Sequence, residues 1–567
     1  MRRSAAAAAL FCALALALGA QERRAATTPA NFQIGGMVVN ASNNQPLAQA
    51  QVTVTLATDS QYTRTVTTGA DGRFQFDRLK AGKYALSAER RGFARQGYEQ
   101  HEGQFSTAIV IGPDVEPADL VFRAAPDASF SGRVTDDGGD SVRHARVMLI
   151  GEELRDGVRA RRIVRESGTD DQGYYHIAHL RPGAYYVAVS ARPWYAQAAM
   201  PLRMDAGEIG KTVTVAPVDA TRNAALDAAY PLTFYPEATD ASAATPITLH
   251  AGDRASADII LRTVPALHVR INNAGGGEAG GFAAGQFFPS MTQIIFDSIE
   301  VPMQSSAQHI GPNIAVITGI APGHYLLRLE ANPRSFGPRQ PFASADQPRP
   351  MRVRELDLAG DTELDANESI AAAAVSGTVK LADGQSMPKG MTVELRNRAG
   401  HSMLAPTNAS GEFVFPGGAP SGNYELLMSS GEGMFIRSAT ATGAKIAGRM
   451  LQISSSDAVT LSIAAGAGIG RIEGVALREG KPQSGAMILL VPRDPANNQP
   501  LFRRDQSDSD GTFTLARVLP GRYTLLALEN GWELEWSKPE VLKPFLAGGT
   551  SVVVEPNGKH DLKVNVQ

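Results

Sequence analysis

An internal repeat constrains this chain more than any other feature of its sequence. Its most regular part runs from Gly72 to Leu86, where apolar and polar residues alternate, break at Ala81-Gly82 and alternate again, which is typical of a β-hairpin. Three further copies begin at Gly173, Gly411 and Gly511, the second of these with one added residue. A degenerate copy begins at Asn313, since Asn also tolerates a left-handed backbone. Each copy therefore predicts a hairpin whose alternate residues are buried.

The last position of every copy is a tyrosine, and these tyrosines give the spacing of the repeat. They are separated by 101, 140, 99 and 99 residues, the size of one β-sandwich, and are Tyr84, Tyr185, Tyr325, Tyr424 and Tyr523. A small residue or Glu followed by Gly opens a first strand upstream of four copies, at Gly35-Gly36, Ser131-Gly132, Ser376-Gly377 and Glu473-Gly474. The third copy lacks this signal, because Leu267–Ile271 leads into Gly275-Gly276-Gly277.

The repeat predicts about five tandem β-sandwich domains. Their expected boundaries are 31–125, 126–262 with an insertion, 263–370 as the degenerate copy, 371–467 and 468–567. The 56 Gly and 34 Pro among 567 residues agree with an all-β chain rich in turns.

Charge and cysteine content exclude several classes of protein. With 54 basic and 57 acidic residues, the formal net charge is −3, which argues against a nucleic-acid partner. Cys12 is the single cysteine, so a disulfide framework and thiolate metal sites are not expected.

The first twenty residues have the pattern of an export signal. Arg2 and Arg3 precede an apolar run from Ala5 to Leu18 that ends in Gly19-Ala20. We expect residues 1–20 to be a cleaved signal peptide; a retained signal anchor is the alternative. No later run is long enough to span a bilayer, so a periplasmic or extracellular location is expected.

The second copy of the repeat resembles the carboxypeptidase regulatory-like family. The resemblance lies in the run from Thr169 through Asp171, Gly173 and Tyr175 to Pro182-Gly183-Ala184-Tyr185. The segments Tyr230–Asp240 and Ala244–Ile247 are similar to exported multi-copy proteins of this family from soil bacteria such as acidobacteria. The resemblance implies seven-stranded transthyretin-like or prealbumin-like (Ig-like) sandwiches, a type of domain that accompanies some zinc carboxypeptidases.

The sequence lacks the signatures of the common catalytic sites. A zinc carboxypeptidase needs a His and a Glu three residues apart with a distant His, and none of the ten histidines has a Glu at that offset. His176 and His179 are three apart on a predicted strand, which places them on opposite faces. Neither a nucleophile elbow nor a phosphate loop is found. We therefore expect no catalytic residues, no metal and no cofactor.

Two acidic segments are interpreted as turns. Asp508-Ser509-Asp510-Gly511 opens like a calcium loop but has Leu519 where the twelfth ligand should be, so a hairpin turn is expected. Asp136-Asp137-Gly138-Gly139-Asp140 is expected to be a polar loop after a first strand, with a weak exposed cation site as the alternative.

Aromatic residues are the candidates for ligand binding, because sugar C–H groups pack well against aromatic rings. The candidates are Trp194, Tyr195, Trp532 and Trp536. On a strand, Trp532 and Trp536 would share one face beside Glu533 and Glu535. Core packing is the favoured interpretation for both, since the repeat places an aromatic near Trp532 in other copies.

The sequence thus predicts an exported, non-catalytic protein that binds, adheres or acts as a spacer at the cell envelope. The partner is not identified; a polysaccharide or an envelope protein is the expected kind. The alternatives are a carbohydrate-binding protein and a regulatory partner of a separate peptidase or outer-membrane transporter. An enzyme of unrecognised type is the third.

Overall fold

The computed structural model describes residues 32–567 except for 114, 116–118, 197–225, 275–286, 297, 304, 312–313, 332–350, 369, 382–385, 398–399, 417, 430–432 and 455–456. The predicted signal peptide, Asn313 and Gly275-Gly276-Gly277 lie outside the described residues. The fold is almost entirely β-sheet, as predicted. Within the described residues, no helix is both long and apolar enough to cross a membrane.

The chain divides into two compact units. The first holds residues up to Arg90 together with Arg95–Tyr98 and Ala108–Ala124. The second holds Arg91–Ala94, Glu99–Thr107 and Ala125–Gln567.

The first sandwich is formed by eight strands. They are β1 (Phe32–Asn40), β2 (Gln51–Leu56), β3 (Asp59–Thr67), β4 (Arg73–Leu79), β5 (Gly82–Arg90), β6 (Phe93–Gly97), β7 (Ile109–Ile111) and β8 (Asp119–Ala124). One sheet has the order β4-β1-β8, and the other has β3-β2-β5-β6 with β7 beside β5. Phe74 and Phe76 of β4 are buried while Arg73 and Gln75 between them are exposed, which confirms the alternation predicted for the hairpin.

The second sandwich opens the larger unit. Its strands are β9 (Ala128–Asp136), β10 (Arg146–Arg155), β11 (Val158–Gly168), β12 (Tyr174–Leu180), β13 (Gly183–Ser190), β14 (Ala228–Ala229), β15 (Thr233–Phe234), β16 (Ile247–Leu249), β17 (Arg254–Ser256), β18 (Ile259–Leu261) and β19 (Val264–Pro265). A short 3-10 helix lies at Ala241–Ala243. The sheets are β12-β9-β17 with β18 on β9, β11-β10-β13-β15 with β16 on β13, and the pair β14-β19. Tyr175 and Ile177 pack in the core between the two larger sheets, as predicted.

The third sandwich corresponds to the degenerate repeat. Its strands are β20 (Leu267–Asn272), β21 (Phe287–Ile295), β22 (Ile299–Pro302), β23 (Ser306–Gly311), β24 (Ile314–Ile320), β25 (Gly323–Ala331), β26 (Met351–Leu358), β27 (Thr362–Asp365) and β28 (Ile370–Ala371), with a 3-10 turn at Ala366–Glu368. The sheets are β23-β24-β20-β27 and β22-β21-β25-β26-β28. Ile295, Ile299 and Val301 pack against Met148 and Ile150 of the second sandwich, so these two sandwiches share an apolar contact.

The fourth sandwich repeats the same plan. Its strands are β29 (Val375–Lys380), β30 (Thr392–Asn397), β31 (Ser402–Pro406), β32 (Glu412–Val414), β33 (Gly422–Ser429), β34 (Met434–Thr442), β35 (Lys445–Ala447), β36 (Met450–Ile453) and β37 (Val459–Ala467). The sheets are β32-β29-β37-β34 and β31-β30-β33-β36-β35. Phe413 and Phe415 meet edge to face in the core, 5.9 Å between ring centroids.

The fifth sandwich carries an additional helix. Its strands are β38 (Gly470–Arg478), β39 (Lys481–Pro482), β40 (Met487–Pro492), β41 (Arg503–Gln506), β42 (Thr512–Val518), β43 (Gly521–Leu528), β44 (Thr550–Val554) and β45 (Lys559–Asn565), with α1 (Pro539–Leu546) and 3-10 turns at Gln499–Leu501 and Gly531–Glu533. The sheets are β39-β38-β42 with β45 on β38, and β41-β40-β43-β44. Helix α1 begins with Pro539, which suits the first helical position because its missing N–H would be unpaired there.

The repeated tyrosine performs the same task in every sandwich. Its ring is buried, and its hydroxyl donates a hydrogen bond to the backbone carbonyl four residues earlier. The five bonds are Tyr84 to Lys80 at 3.0 Å, Tyr185 to Arg181 at 2.8 Å, Tyr325 to Ala321 at 2.7 Å, Tyr424 to Pro420 at 2.8 Å and Tyr523 to Leu519 at 2.7 Å. Each bond joins the backbone of the turn between the two hairpin strands to a side chain that is buried in the sandwich core.

The glycine of the first strand allows a close approach by two neighbours. A Cβ on Gly377 would lie 2.3 Å from the Leu461 carbonyl oxygen and 2.7 Å from the Phe413 ring. A Cβ on Gly474 would meet Leu562 and Phe513 in the same way, at 2.0 Å and 2.8 Å. The recurring glycine is therefore required because an aromatic side chain and a parallel strand occupy the space beside it.

In the third sandwich the large and the small residue of this packed pair have exchanged strands. Ile271 of β20 occupies the glycine position and pairs with Ala315 of β24, where the other copies have an aromatic. Both residues are fully buried in one core. A large residue on β20 thus faces a small residue on β24, which explains why this copy lacks the glycine signal.

The acidic residues of the hairpin turns accept hydrogen bonds from backbone N–H groups, as predicted. The Asp170 carboxylate accepts hydrogen bonds from the N–H groups of Gln172 at 2.9 Å and Tyr174 at 2.8 Å. The Asp510 carboxylate accepts the N–H of Thr512 at 3.0 Å, and Gly511 has a φ of 77°. The segment Asp508–Gly511 is therefore a tight turn that needs the left-handed backbone of glycine.

Candidate functional site

The four aromatic candidates divide into two buried rings and one exposed pair. Trp532 and Trp536 are 6% and 5% exposed and belong to an apolar cluster, whereas Trp194 is 77% exposed. The strand expected for Trp532 and Trp536 is wrong, because Trp532 lies in the 3-10 turn Gly531–Glu533 and Trp536 lies in the loop before α1. The buried positions are those that the core interpretation favours.

Residues from far along the chain cover the Trp532 ring. The His101 ring stacks on it at 4.7 Å with an interplanar angle of 6°, and Phe105 lies 5.1 Å away. The His101 Nδ1 atom also hydrogen-bonds the Gln506 side chain at 3.0 Å. A sugar therefore has no open Trp532 face on which to stack.

Trp536 is covered by a buried ion pair. The Arg504 guanidinium lies 4.4 Å from the Trp536 ring centroid and 4.8 Å from that of Phe105. It donates two hydrogen bonds to the Glu102 carboxylate at 2.6 and 2.8 Å. Both charged side chains are largely buried, at 8% and 15% exposed, so each satisfies the charge of the other.

The β10–β11 hairpin closes the remaining side of this cluster. The Ser537 hydroxyl donates to the Gly157 carbonyl at 2.8 Å, and the Arg159 N–H donates to the Glu535 carboxylate at 3.0 Å. A Cβ on Gly157 would lie 2.6 Å from the Trp536 ring, so only glycine fits there. The Trp532 and Trp536 region is consequently a structural junction between the second and fifth sandwiches.

Trp194 and Tyr195 form an exposed turn after β13. The rings meet perpendicularly, 5.7 Å apart at an angle of 89°. The Ala196 N–H donates to the Pro193 carbonyl at 3.0 Å, and the Arg192 guanidinium donates to the Ala196 carbonyl at 3.0 Å. The turn is thus held by its own backbone while the Trp194 ring faces outward.

The acidic loop after β9 belongs to the same sandwich. The Asp136 carboxylate accepts the N–H groups of Gly138 at 3.0 Å and Asp140 at 2.8 Å, which fixes the loop. Asp137 and Asp140 are exposed. The loop therefore presents two carboxylates that its own folding does not use.

Tyr230 is a buried residue of the same sandwich. It is 5% exposed, and burial raises the pKa of its phenol, with further contributions from Asp136, Tyr195, Asp137 and Asp140 in that order. Tyr230 therefore belongs to the apolar core of the second sandwich, in one cluster with Val134 and Val142.

The exposed aromatic turn is chemically suited to binding a ligand. An exposed ring can stack on an apolar ligand face, and carboxylates can accept hydrogen bonds from hydroxyl or ammonium groups. Within the part of the chain that the structure describes, no group of three or more His, Asp or Glu side chains is arranged to hold a metal ion. His179, a histidine weighed for a metal site, instead contacts the Asp127 carboxylate at 2.7 Å.

Sequence reasoning named Trp194 and Tyr195 as candidates but did not identify Tyr230 as a core residue of this sandwich. Tyr230 follows Tyr195 by a segment whose middle lies outside the described residues, and no local pattern joins it to the end of β9. The available signal was that Tyr230 begins the segment Tyr230–Asp240, which is similar to other proteins of the family.

Comparison with known proteins supports the sequence resemblance. Residues 33–110 and 129–227 match the family model of the carboxypeptidase regulatory-like domain, so the resemblance is confirmed over these two segments. The description is that of a regulatory domain rather than a peptidase domain. None of the curated proteins matches the chain.

Solved structures with similar features are distant. The Bacillus anthracis TIE protein is 9% identical, with 95% of this chain and 74% of that chain covered and a TM-score of 0.17. GBS52, the minor pilin of Streptococcus agalactiae, is 13% identical, with 41% and 97% covered and a TM-score of 0.19. BcpA, the major pilin subunit of Bacillus cereus, is 10% identical, with 77% and 99% covered and a TM-score of 0.13. Scores this low carry no argument about function.

Proposed function

We propose that this chain is an exported, non-catalytic protein of tandem β-sandwiches that works in binding, adhesion or spacing at the cell envelope. The observation that carries the proposal is the exposed Trp194-Tyr195 turn, because it offers an open aromatic surface on which a ligand can pack. The regulatory description of the matched domain supports the same reading.

Export and modular organisation complete the proposal. Residues 1–20 direct the chain out of the cytoplasm, and the mature protein works in the periplasm or outside the cell. The sandwiches act as five modules with boundaries at 31–125, 126–262, 263–370, 371–467 and 468–567. The repeated tyrosine bond supports this division, because every proposed module contains one.

A carbohydrate is the favoured ligand, since the exposed Trp194 ring suits stacking against the C–H face of a sugar. Regulation of a separate peptidase or outer-membrane transporter is the second candidate. The description of the matched family, a carboxypeptidase regulatory-like domain, favours this candidate.

The test is retention of the purified mature chain, residues 21–567, on insoluble polysaccharides and peptidoglycan. We expect selective retention on at least one glycan. Absence of retention on all of them, with specific co-purification of a peptidase or transporter, would transfer support to the second candidate. Turnover on peptide or glycan panels by the pure chain would refute the non-catalytic assignment.

A further inference from the structure

We propose that Thr107 and Gln506 form an ester cross-link inside the folded chain, with release of ammonia. The Thr107 hydroxyl oxygen attacks the side-chain amide carbon of Gln506, the carbon–nitrogen bond of the amide breaks, and the nitrogen leaves as ammonia. The reaction occurs once in each chain and needs no oxidant or other co-reactant. It goes beyond the binding function proposed above and does not depend on it.

The two reacting groups are in contact and almost completely buried. The Thr107 hydroxyl oxygen lies 2.8 Å from the Gln506 side-chain nitrogen, and the carbon to be attacked is one bond from that nitrogen. Each residue is 1% exposed, and both belong to the second compact unit. A nucleophile and an amide held together in this way react within one molecule, which removes much of the entropic part of the barrier.

The Glu99 carboxylate is placed to act as the general base. It accepts a hydrogen bond from the Thr107 hydroxyl at 2.9 Å, so it can take the hydroxyl proton as the oxygen attacks. Gly485 leaves room for this carboxylate, because a Cβ there would lie 3.2 Å from the Glu99 Oε2 atom. Glu99 then gives the same proton to the departing nitrogen, which leaves as ammonia, and the carboxylate is regenerated.

His101 donates a hydrogen bond to the oxygen on which negative charge develops. Its Nδ1 atom lies 3.0 Å from the Gln506 Oε1 atom. An amide oxygen only accepts hydrogen bonds, so Nδ1 carries the proton. Stacking on Trp532, with ring centroids 4.7 Å apart and an angle of 6°, holds the imidazole in this orientation. The donor can therefore stabilise the tetrahedral intermediate as an oxyanion hole does.

The same loop orients the amide that is attacked. The Gln506 side-chain nitrogen also donates to the Glu99 carbonyl at 2.9 Å, while His101 holds the amide oxygen. The last side-chain torsion of glutamine is broad, so a modest rotation presents the amide carbon to the Thr107 hydroxyl. Nucleophile, base and oxyanion donor thus come from one loop, and strand β41 supplies the amide.

Burial also protects the product, because an ester is hydrolysed only where water reaches it. The rings of Phe105 and Trp532 pack 5.1 Å apart in the same region and help to exclude solvent. The ester would join positions 399 residues apart in a chain whose single cysteine, Cys12, cannot form a disulfide within it. The cross-link would therefore provide a covalent closure that the cysteine content does not.

The experiment is a peptide map of the purified mature chain, residues 21–567, by mass spectrometry. We expect a linked pair of peptides, one with Thr107 and one with Gln506, whose mass is the sum of both less one ammonia molecule. Neutral hydroxylamine, which cleaves esters and leaves amides intact, should separate the pair. Intact mass alone does not decide, because Gln21 at the start of the mature chain can also lose ammonia by cyclisation.

Matched variants identify the reacting groups. Thr107→Val and Gln506→Glu keep the side-chain shapes but lack the hydroxyl or the leaving nitrogen, so the linked pair should disappear in both, whereas Thr107→Ser should retain it. Thr53→Val, which removes a hydroxyl that contacts another threonine of the first sandwich, should leave the pair unchanged. In protein sampled at increasing times after synthesis, Glu99→Gln should slow formation of the link about a hundred-fold or more, because it removes the general base.

Absence of the linked peptides from the folded mature chain would overturn the inference, and so would their persistence in Gln506→Glu. Circular dichroism of the unmodified sequence establishes that it is folded, so the first result is decisive even where a variant does not fold. Formation of the link at an unchanged rate in Glu99→Gln would refute the role of that carboxylate.

Discussion

The exchanged residues of the third sandwich allow a test of why the other copies have a glycine on the first strand opposite an aromatic residue. Ile271 and Ala315 pair across β20 and β24, whereas the fourth sandwich has Gly377 and Phe413 in these places. If the two positions share one packing volume, exchanging both residues together must cost less than the two single changes predict.

The expected magnitudes follow from the burial of both positions. Ile271→Gly removes a fully buried side chain and should cost ~3–5 kcal/mol, from the cavity and the added backbone freedom. Ala315→Phe forces a ring against Ile271 and should cost ~1–3 kcal/mol. In the double variant the ring fills the cavity, so a coupling energy of ~1–3 kcal/mol should be recovered.

Hydrogen exchange read by mass spectrometry is the appropriate assay, because a chain with several sandwiches does not unfold in one step. Amides of β20 and β24 should exchange faster in each single variant, about ten-fold for each 1.4 kcal/mol. The reverse exchange in the fourth sandwich, Gly377→Ile with Phe413→Ala, is the matched control. If the double variant in each sandwich loses as much stability as the two single variants together, the two positions do not share one packing volume.

Three further predictions address the tyrosines, the ion pair and the tryptophans. Burial raises the pKa of Tyr424 and Tyr523 to about 12 from an ordinary 10, so stability is intact below pH 10 and falls as pH rises from 10 toward 12, by on the order of 2–3 kcal/mol per tyrosine. Alkaline unfolding followed by circular dichroism checks this, and a flat profile over that range would contradict it. Arg504→Ala should destabilise the fifth sandwich by ~3–5 kcal/mol because it leaves the Glu102 charge buried, and adding Glu102→Ala should restore part of the loss in a thermal melt. Acrylamide should quench Trp194 alone, so the quenchable emission should disappear in Trp194→Phe; strong residual quenching would mean that the other tryptophans are accessible.

The fold was predictable wherever the signal was local. Alternation around Phe74 and Phe76 and the turn at Gly511 depend on neighbouring residues, so the sequence carries them completely. The structure added the reason for the third copy's irregularity, because Ile271 and Ala315 compensate across two strands and neither is unusual by itself.

The environment of the tryptophans was not predictable in the same way. The alternation from Trp532 to Trp536 imitates a strand, but the two rings are held by His101 and Arg504. Tyr230 has the same property, since it packs in one core with Val134 and Val142 although no sequence pattern relates these residues. Contacts between distant residues decide both cases, and a single sequence does not encode their pairing in a readable form.

The covering of Trp532 by His101 has a consequence for the order in which the protein matures. His101 and its partner Gln506 are separated by 405 positions. The ribosome therefore makes His101 and Phe105 long before it makes Trp532, the ring that they cover. Until the later residues arrive, His101 and Phe105 have nothing to pack against, and until the two segments meet, the tryptophan surface stays open to other chains. The entropy of closing so long a loop grows only slowly with its length, so the 405-residue separation adds little to the free-energy cost of bringing the two segments together.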